Sequence, residues 1–390
     1  MTTRPISRAA FSAIAELETT ERGILPHRIP LWARQQFPDP QMLAMEVQPS
    51  GVRLSIRTRS TRIELVSHAR RVSYAGADRP RGRIDLLVDG TLLRSDTLTG
   101  GDIIHTDLQS GASELESGAP HVSVFRDLGT ADKEIEIWLP HNEAIELISW
   151  ASDAPISPAP RRKPLWVHHG SSISHGSNAT SPSAIWPAVA ARSAGADLHN
   201  LGLGGSALLD PFMARLIRDA PADVISAKIG INIVNFDSMR LRAFVPALHG
   251  FLDTIRDGHP TTPILLVSPI FCGIHENTPG PGSVDVSTLG TDRIRFTTTG
   301  DEGDTRLGRL TLRVIRDAMR TLVTGRQDTQ LHYVNGLNLY GPDDAGAHPL
   351  PDAIHPDTET HALIGDRFAR LLSMACIPET TRSQDWRWGR

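Results

Sequence analysis

Cysteine is nearly missing from this chain. Cys272 and Cys376 are its only thiols in 390 residues, too few for a disulfide framework and without the C-x-x-C spacing that zinc or redox chemistry uses. Both read as free thiols. Lysine is almost as scarce, at Lys133, Lys163 and Lys228 only, and the remaining basic residues are arginine. With a formal net charge of -4 and a pI near 6.5, that preference reads as a GC-rich coding bias and not as phosphate recognition, so neither a nucleic-acid nor an anionic-membrane partner is expected. Long apolar runs are lacking too. No segment approaches the ~18 uninterrupted apolar residues of a membrane span, and MTTRPISRAAFSAIAELETTERG at the start has no continuous apolar core followed by a cleavage pattern. The expectation is a cytoplasmic protein.

What is present is ordinary for a folded chain: 39% apolar and 22% charged residues. The length suggests two compact units. From Gly51 to Trp150 the pattern has period two, with Val52, Leu54 and Ile56 alternating with Arg53, Ser55 and Arg57, and Ile84, Leu86 and Val88 leading into the hairpin dipeptide Asp89-Gly90. Glu134 to Ile137 alternates again, and short strands separated by turns predict an all-β sandwich of jelly-roll type. Ser12 to Arg22 is expected as a short helix. The proline-rich APISPAPRRKP, Ala154 to Pro164, reads as a connection between domains. The expected division is therefore a sandwich over 1–155, a linker over 156–163, a second domain over 164–376 and a tail over 377–390.

Past the linker, apolar runs alternate with amphipathic stretches: LWVHH, Ser183–Ala194, DLHNLGL, Ala207–Ala220, DVISAKIG, Ser238–Asp257, PILLVSPIF, Thr305–Thr324, LHYVNGL and Asp357–Met374. This predicts an α/β domain, a three-layer parallel sheet with helices on both faces, and a site just beyond the carboxyl ends of the strands. The residues at those positions carry chemistry. After the first run comes Gly170-Ser171-Ser172, a serine at a helix start, where main-chain N–H groups can stabilise negative charge; a simple helix cap has the same appearance. After the second comes Gly202-Leu203-Gly204-Gly205, where missing side chains let a substrate approach an N–H. After the third comes Gly230-Ile231-Asn232, a side-chain amide where an oxyanion donor would be wanted, or equally a turn cap. Near the end, LPDAIHP places Asp352 and His355 one turn apart, so that the carboxylate can accept the Nδ1 proton and leave Nε2 as a base.

A serine, a glycine amide, an asparagine amide and Asp-x-x-His, in that order at successive strand ends, are the parts of acyl transfer through a serine ester. These motifs resemble the blocks of the SGNH (GDSL-type) hydrolase superfamily over roughly residues 164 to 376. The resemblance implies Ser172 as nucleophile, His355 as general base and Asp352 as its orienting partner. It also implies an oxyanion hole formed by Ser172, Gly205 and Asn232, with no cofactor and no metal. Gly170-Ser171-Ser172 stands where the name motif has Gly-Asp-Ser, and Ile233 where many members carry Asp. His168 and His169 fall on opposite faces of a strand, which argues against a shared metal. A sandwich ahead of such a domain is similar to certain carbohydrate acetyl esterases and to a few acyltransferases of polyketide tailoring. The expected activity is hydrolysis of a small acyl ester, such as acetyl, of a sugar-like or polyol substrate. An acyltransferase using a thioester donor and a non-catalytic carbohydrate-binding protein are the alternatives. The stretch Cys272 to Asp304, rich in glycine, proline and threonine, reads as an insertion at the site's rim that selects substrate.

Overall fold

The computed structural model describes residues 1–74, 80–107, 110–288, 290–291 and 294–376; the expected tail 377–390 lies outside the described residues. The chain divides into two compact units, Met1–Arg162 with Ala179–Ile185, and Lys163–Asn178 with Trp186–Arg390.

The first unit is a pair of β-sheets. One orders the strands Ser113–Glu116, Asp102–Thr106, Ile63–Tyr74, Ala144–Ser152, Ile24–His27 and Glu16–Thr19, with Thr2–Arg4 and His121–Phe125 added off that path. The other orders Ile156–Pro158, Arg53–Thr58, Lys133–Trp138, Arg83–Val88 and Thr91–Thr97, with Phe11–Ser12 beside Arg53–Thr58. The pairing is antiparallel except between Ile63–Tyr74 and Asp102–Thr106. The alternating residues of the sequence turn inward: Leu54, Ile56, Ile84, Leu86, Ile135 and Ile137 are fully buried in one cluster with Leu65 and Leu147. Asp89 and Gly90 make the hairpin between Val88 and Thr91, both at positive φ, 47° and 81°, as a two-residue turn of the primed type requires.

Two expectations are corrected in this unit. Ser12–Arg22 is not a helix: Ala13 sits at φ 64° and Glu16–Thr19 is a strand paired with Ile24–His27, because cross-strand bonding overrides the weak local propensity of this stretch. The segment expected as linker begins with a strand, Ile156–Pro158, on the edge beside Arg53–Thr58. Its prolines are tolerated there because an edge strand has one side without ladder bonds, while Ile156 packs on the core. Ala179–Ile185 also clusters with this unit, with the Ser183 N–H and Oγ donating to Asp85 at 3.1 and 2.6 Å.

The second unit is the α/β domain. Its strands lie in the order Asp197–Gly202, Leu165–Gly170, Val224–Lys228, Ile264–Val267, Leu331–Val334, all parallel. Helices cover both faces, as the alternation along the first strand shows. Trp166 and His168 point toward the helices Trp186–Ala194 and Thr358–Ala375, with Trp166 stacked 5.3 Å from Phe368 and His168 edge-on 4.7 Å from Trp186. His169 faces the other way and stacks 6.2 Å from Phe251 of the helix Leu241–Gly258. The strand order reverses at Leu165–Gly170, so the crevice beyond its carboxyl end is where a ligand site forms in such sheets.

Candidate active site

Ser172 opens a four-residue helix, Ser172–His175, immediately after the first strand. Two glycines let that helix sit so close to the sheet. A Cβ on Gly170 would lie 2.3 Å from Ser174 Oγ, and one on Gly202 would lie 2.6 Å from the His175 main-chain nitrogen. The helix is pinned from below: His168 Nε2 bonds Ser174 Oγ at 2.8 Å, and His168 Nδ1 meets Ser226 Oγ at 2.7 Å. Complete burial lowers the His168 pKa well below the ordinary histidine value, so this ring is a neutral strut. His168 and His169 have separate partners, Ser226 and Ser174 for the former and the Leu201 carbonyl for the latter.

Gly170 is in register with both Gly202 and Lys228, so the loops bearing Ser172, Gly205 and Asn232 leave the same edge of three adjacent strands. Gly205 has φ 70°, a conformation that a side chain would strain. Asn232 lies in the short helix Ile231–Asn235 and is 5% exposed. Its Oδ1 accepts from the Ala207 N–H at 3.1 Å, which ties the glycine loop to this helix and leaves the donor end of the amide unused by that bond.

From the last loop, Asp352 and His355 reach the same place. The His355 Nδ1–H donates to Asp352 Oδ2 at 2.7 Å, and the Ser172 hydroxyl donates to His355 Nε2 at 2.8 Å. The carboxylate is well satisfied, since Asp352 Oδ1 also accepts from the N–H groups of Ile354 and His355 at 2.9 and 2.7 Å. Burial alone would raise the Asp352 pKa, but these hydrogen bonds and the charge interaction with His355 outweigh it and bring the value down to about 2. An ionised carboxylate can only accept, which puts the imidazole proton on Nδ1 and leaves Nε2 as an acceptor for the serine. The exposure is graded, 9% for Ser172 and 14% for the side chains of Asp352 and His355, so the serine is shielded yet reachable.

The structure adds residues that the sequence did not signal. Asn178 Nδ2 donates to Asp352 Oδ2 at 3.0 Å, and the Phe296 N–H donates to the Asp352 carbonyl at 2.9 Å. The Cys272 thiol donates to the Ala353 carbonyl at 3.3 Å; burial pushes its pKa up to about 12, which makes it a hydrogen-bonding thiol and not a nucleophile. Lys228 is buried at the end of the third strand with its pKa lowered by burial to about 8. Asn178 sits at a left-handed position, φ 67°, a conformation not visible in a sequence, whereas Cys272 and Phe296 fall in the stretch that the sequence marks as the rim of the site. Among the described residues, no group of three or more His, Cys, Asp or Glu side chains could hold a metal ion, and no helix is long and apolar enough to cross a membrane.

Residues 162–273 match the model of the GDSL-like lipase/acylhydrolase family. Among solved structures, the chain is similar to the salicylyl-acyltransferase SsfX3 from a tetracycline biosynthetic pathway, with 26% identity, TM-score 0.76, and coverage of 95% of this chain and 96% of that one. It also resembles a candidate GDSL-like lipase from Bacteroides ovatus, at 19% identity and TM-score 0.66 over 96% and 97% of the two chains. A family two carbohydrate esterase from Clostridium thermocellum, solved with cellohexaose, shares the fold at 14% identity and TM-score 0.54, over 83% of this chain and 92% of that one. No curated protein matches the sequence.

A parallel-sheet domain of this order, preceded by a sandwich, defines the class: an enzyme of acyl-ester chemistry. Within that class the chain is similar to the SGNH (GDSL-type) acylhydrolases and acyltransferases, through the family match over residues 162–273 and the likeness to the salicylyl-acyltransferase.

Proposed function

We propose that the protein is a serine esterase that removes a small acyl group, such as acetyl, from a sugar-like or polyol alcohol through an acyl-serine intermediate. The observation that carries the reading is the continuous chain from Ser172 Oγ to His355 Nε2 at 2.8 Å and from His355 Nδ1 to Asp352 Oδ2 at 2.7 Å. In this reading His355 takes the Ser172 proton as Oγ attacks the acyl carbon. The N–H groups of Ser172 and Gly205 and the Asn232 amide face the oxyanion. Collapse of the tetrahedral intermediate breaks the bond to the alkoxide, which receives the proton from His355. Water, deprotonated by the same nitrogen, then releases the acid and frees Ser172. Asp352 holds the ring in the required tautomer and stabilises the imidazolium.

A second reading has one observation in its favour. Similarity to an acyltransferase extends over 95% of this chain, and the same residues would serve if a bound alcohol replaced water and a thioester supplied the acyl group. Product analysis separates the two: a panel of short acyl esters is incubated with and without added alcohols, and acid, new ester and remaining substrate are measured. Free acid as the main product, with Ser172→Ala inactive, supports the esterase. Poor hydrolysis with efficient acyl transfer to the added alcohol supports the transferase. Activity retained in Ser172→Ala overturns both.

A further inference from the structure

The insertion after the fourth strand makes contact with both ends of the proposed machinery. It contains a small hairpin, Gly282–Val284 paired with Phe296–Thr298 and continued by the Asp285 N–H donating to the Arg295 carbonyl at 2.8 Å. One strand of the hairpin is seated on the helix that carries Asn232: a Cβ on Gly282 would fall 1.9 Å from Asn235 Oδ1. The other strand is bonded to the acid–base loop through the Phe296 N–H and the Asp352 carbonyl, 2.9 Å apart. Phe296 is half-buried, and its ring centroid lies 5.8 Å from that of the His355 imidazole with the two planes at 74°.

We infer that Phe296 is a specificity-determining residue that walls the alcohol side of the site and selects ring-bearing alcohols with an apolar C–H face. The inference rests on the proposed roles of Ser172 and His355. As Ser172 Oγ bonds to the acyl carbon, the bond from that carbon to the alkoxide breaks, and His355 Nε2 gives the departing oxygen the proton taken from the serine. The alcohol oxygen must therefore come within hydrogen-bond reach of Nε2, which brings the carbons behind it to the imidazole side of the acyl carbon. The carbonyl oxygen is directed instead to the Gly205 and Asn232 donors. A phenyl ring in edge contact with the imidazole is thus close to the alcohol's carbons, where it excludes water and offers an apolar surface. The same surface meets the acceptor if an alcohol replaces water.

The test compares wild type, Phe296→Ala and Phe296→Leu on two ester series. In the first the acyl group stays acetyl while the alcohol changes from methanol to cyclohexanol and to a methyl pyranoside. In the second the alcohol stays methanol while the acyl group lengthens from acetyl to butyryl. Phe296→Ala should lower the ratio of kcat/KM for cyclohexyl over methyl acetate by about tenfold, the scale of losing one apolar contact group. The loss should fall mainly in KM, with Phe296→Leu intermediate and the acyl series shifting by less than about twofold. The pyranoside arm tells whether a sugar ring or a carbocycle benefits more. A shift confined to the acyl series, an equal fall on every ester, or no shift at all overturns the inference. Phe296→Leu, checked for its Tm and for organophosphate labelling of Ser172, gives the answer if the alanine variant misfolds. Should wild type neither cleave nor transfer any acyl group in the panel, the proposed function itself fails and this inference with it.

Discussion

Asn178 and His355 donate to the same oxygen of Asp352, at 3.0 and 2.7 Å. A carboxylate oxygen with two donors is held in plane with the ring it orients, and Asn178 supplies the donor that does not change during proton transfer. The Asn178→Gly variant keeps the left-handed backbone at φ 67° without strain and loses only the side-chain bond. A fall in kcat of about tenfold is expected, consistent with an incompletely buried charge-assisted hydrogen bond, with KM little changed. Unaltered kcat would remove Asn178 from any positioning role.

Ser172→Ala should abolish ester turnover while Tm stays close to wild type, because the hydroxyl is a terminal atom at the edge of the site. An organophosphate should modify Ser172, as mapped by mass spectrometry of the labelled peptide. Its neighbours are poor candidates: Ser171 is fully buried, and Ser174 Oγ is engaged by His168 at 2.8 Å.

Asn232→Asp tests the oxyanion role more cleanly than alanine does. The remaining oxygen can still accept from the Ala207 N–H, now 3.1 Å from Oδ1, so the loop stays tied while the donor is replaced by a negative charge. The expected loss is about a hundredfold or more in kcat. A change seen only in KM would contradict the role.

Acid should destabilise the protein in two steps. His361 is fully buried, its Nδ1 accepting from the Trp186 N–H at 3.2 Å and its Nε2–H donating to the Ser177 carbonyl at 3.0 Å, and burial lowers its pKa to about 4. Below the ordinary value of 6.5 the unfolded chain takes up a proton that the folded one refuses, so stability falls as pH drops from 6.5 toward 4. Asp352, at about 2 in the folded state against 3.8, contributes stability that is present above 3.8 and lost as pH falls through 2. Thermal melts across this range should show both declines, and Asp352→Asn should lessen the second without removing it, because Asp96, Asp328, Asp344 and Asp357 are also held below the ordinary carboxylate value. A flat profile below pH 4 in wild type would mean that the carboxylate is not held as described.

The alternation of Val52, Leu54 and Ile56, and the succession of apolar runs after Pro164, made both fold classes legible, because inward-facing periodicity is a local property that the solvent enforces. The proposed set of Ser172, Gly205, Asn232, Asp352 and His355 could be gathered from the sequence for a related reason: a parallel sheet brings its strand ends to one edge, so residues just after successive runs come to the same side of the sheet. Other features depended on contacts between distant segments. Ser12–Arg22 became strand when Glu16 found His27 across the ladder, and Ile156–Pro158 joined the sheet when an edge beside Arg53–Thr58 was open to it. Asn178 and Phe296 reach Asp352 over 174 and 56 positions of chain, and no periodicity encodes such a meeting. The sequence by itself determined the two fold classes and which polar groups follow the apolar runs of the second domain, since those follow from neighbours along the chain. Only the tertiary structure decided what braces the acid and what faces the base, since those depend on where the insertion and the Asn178 turn come to rest.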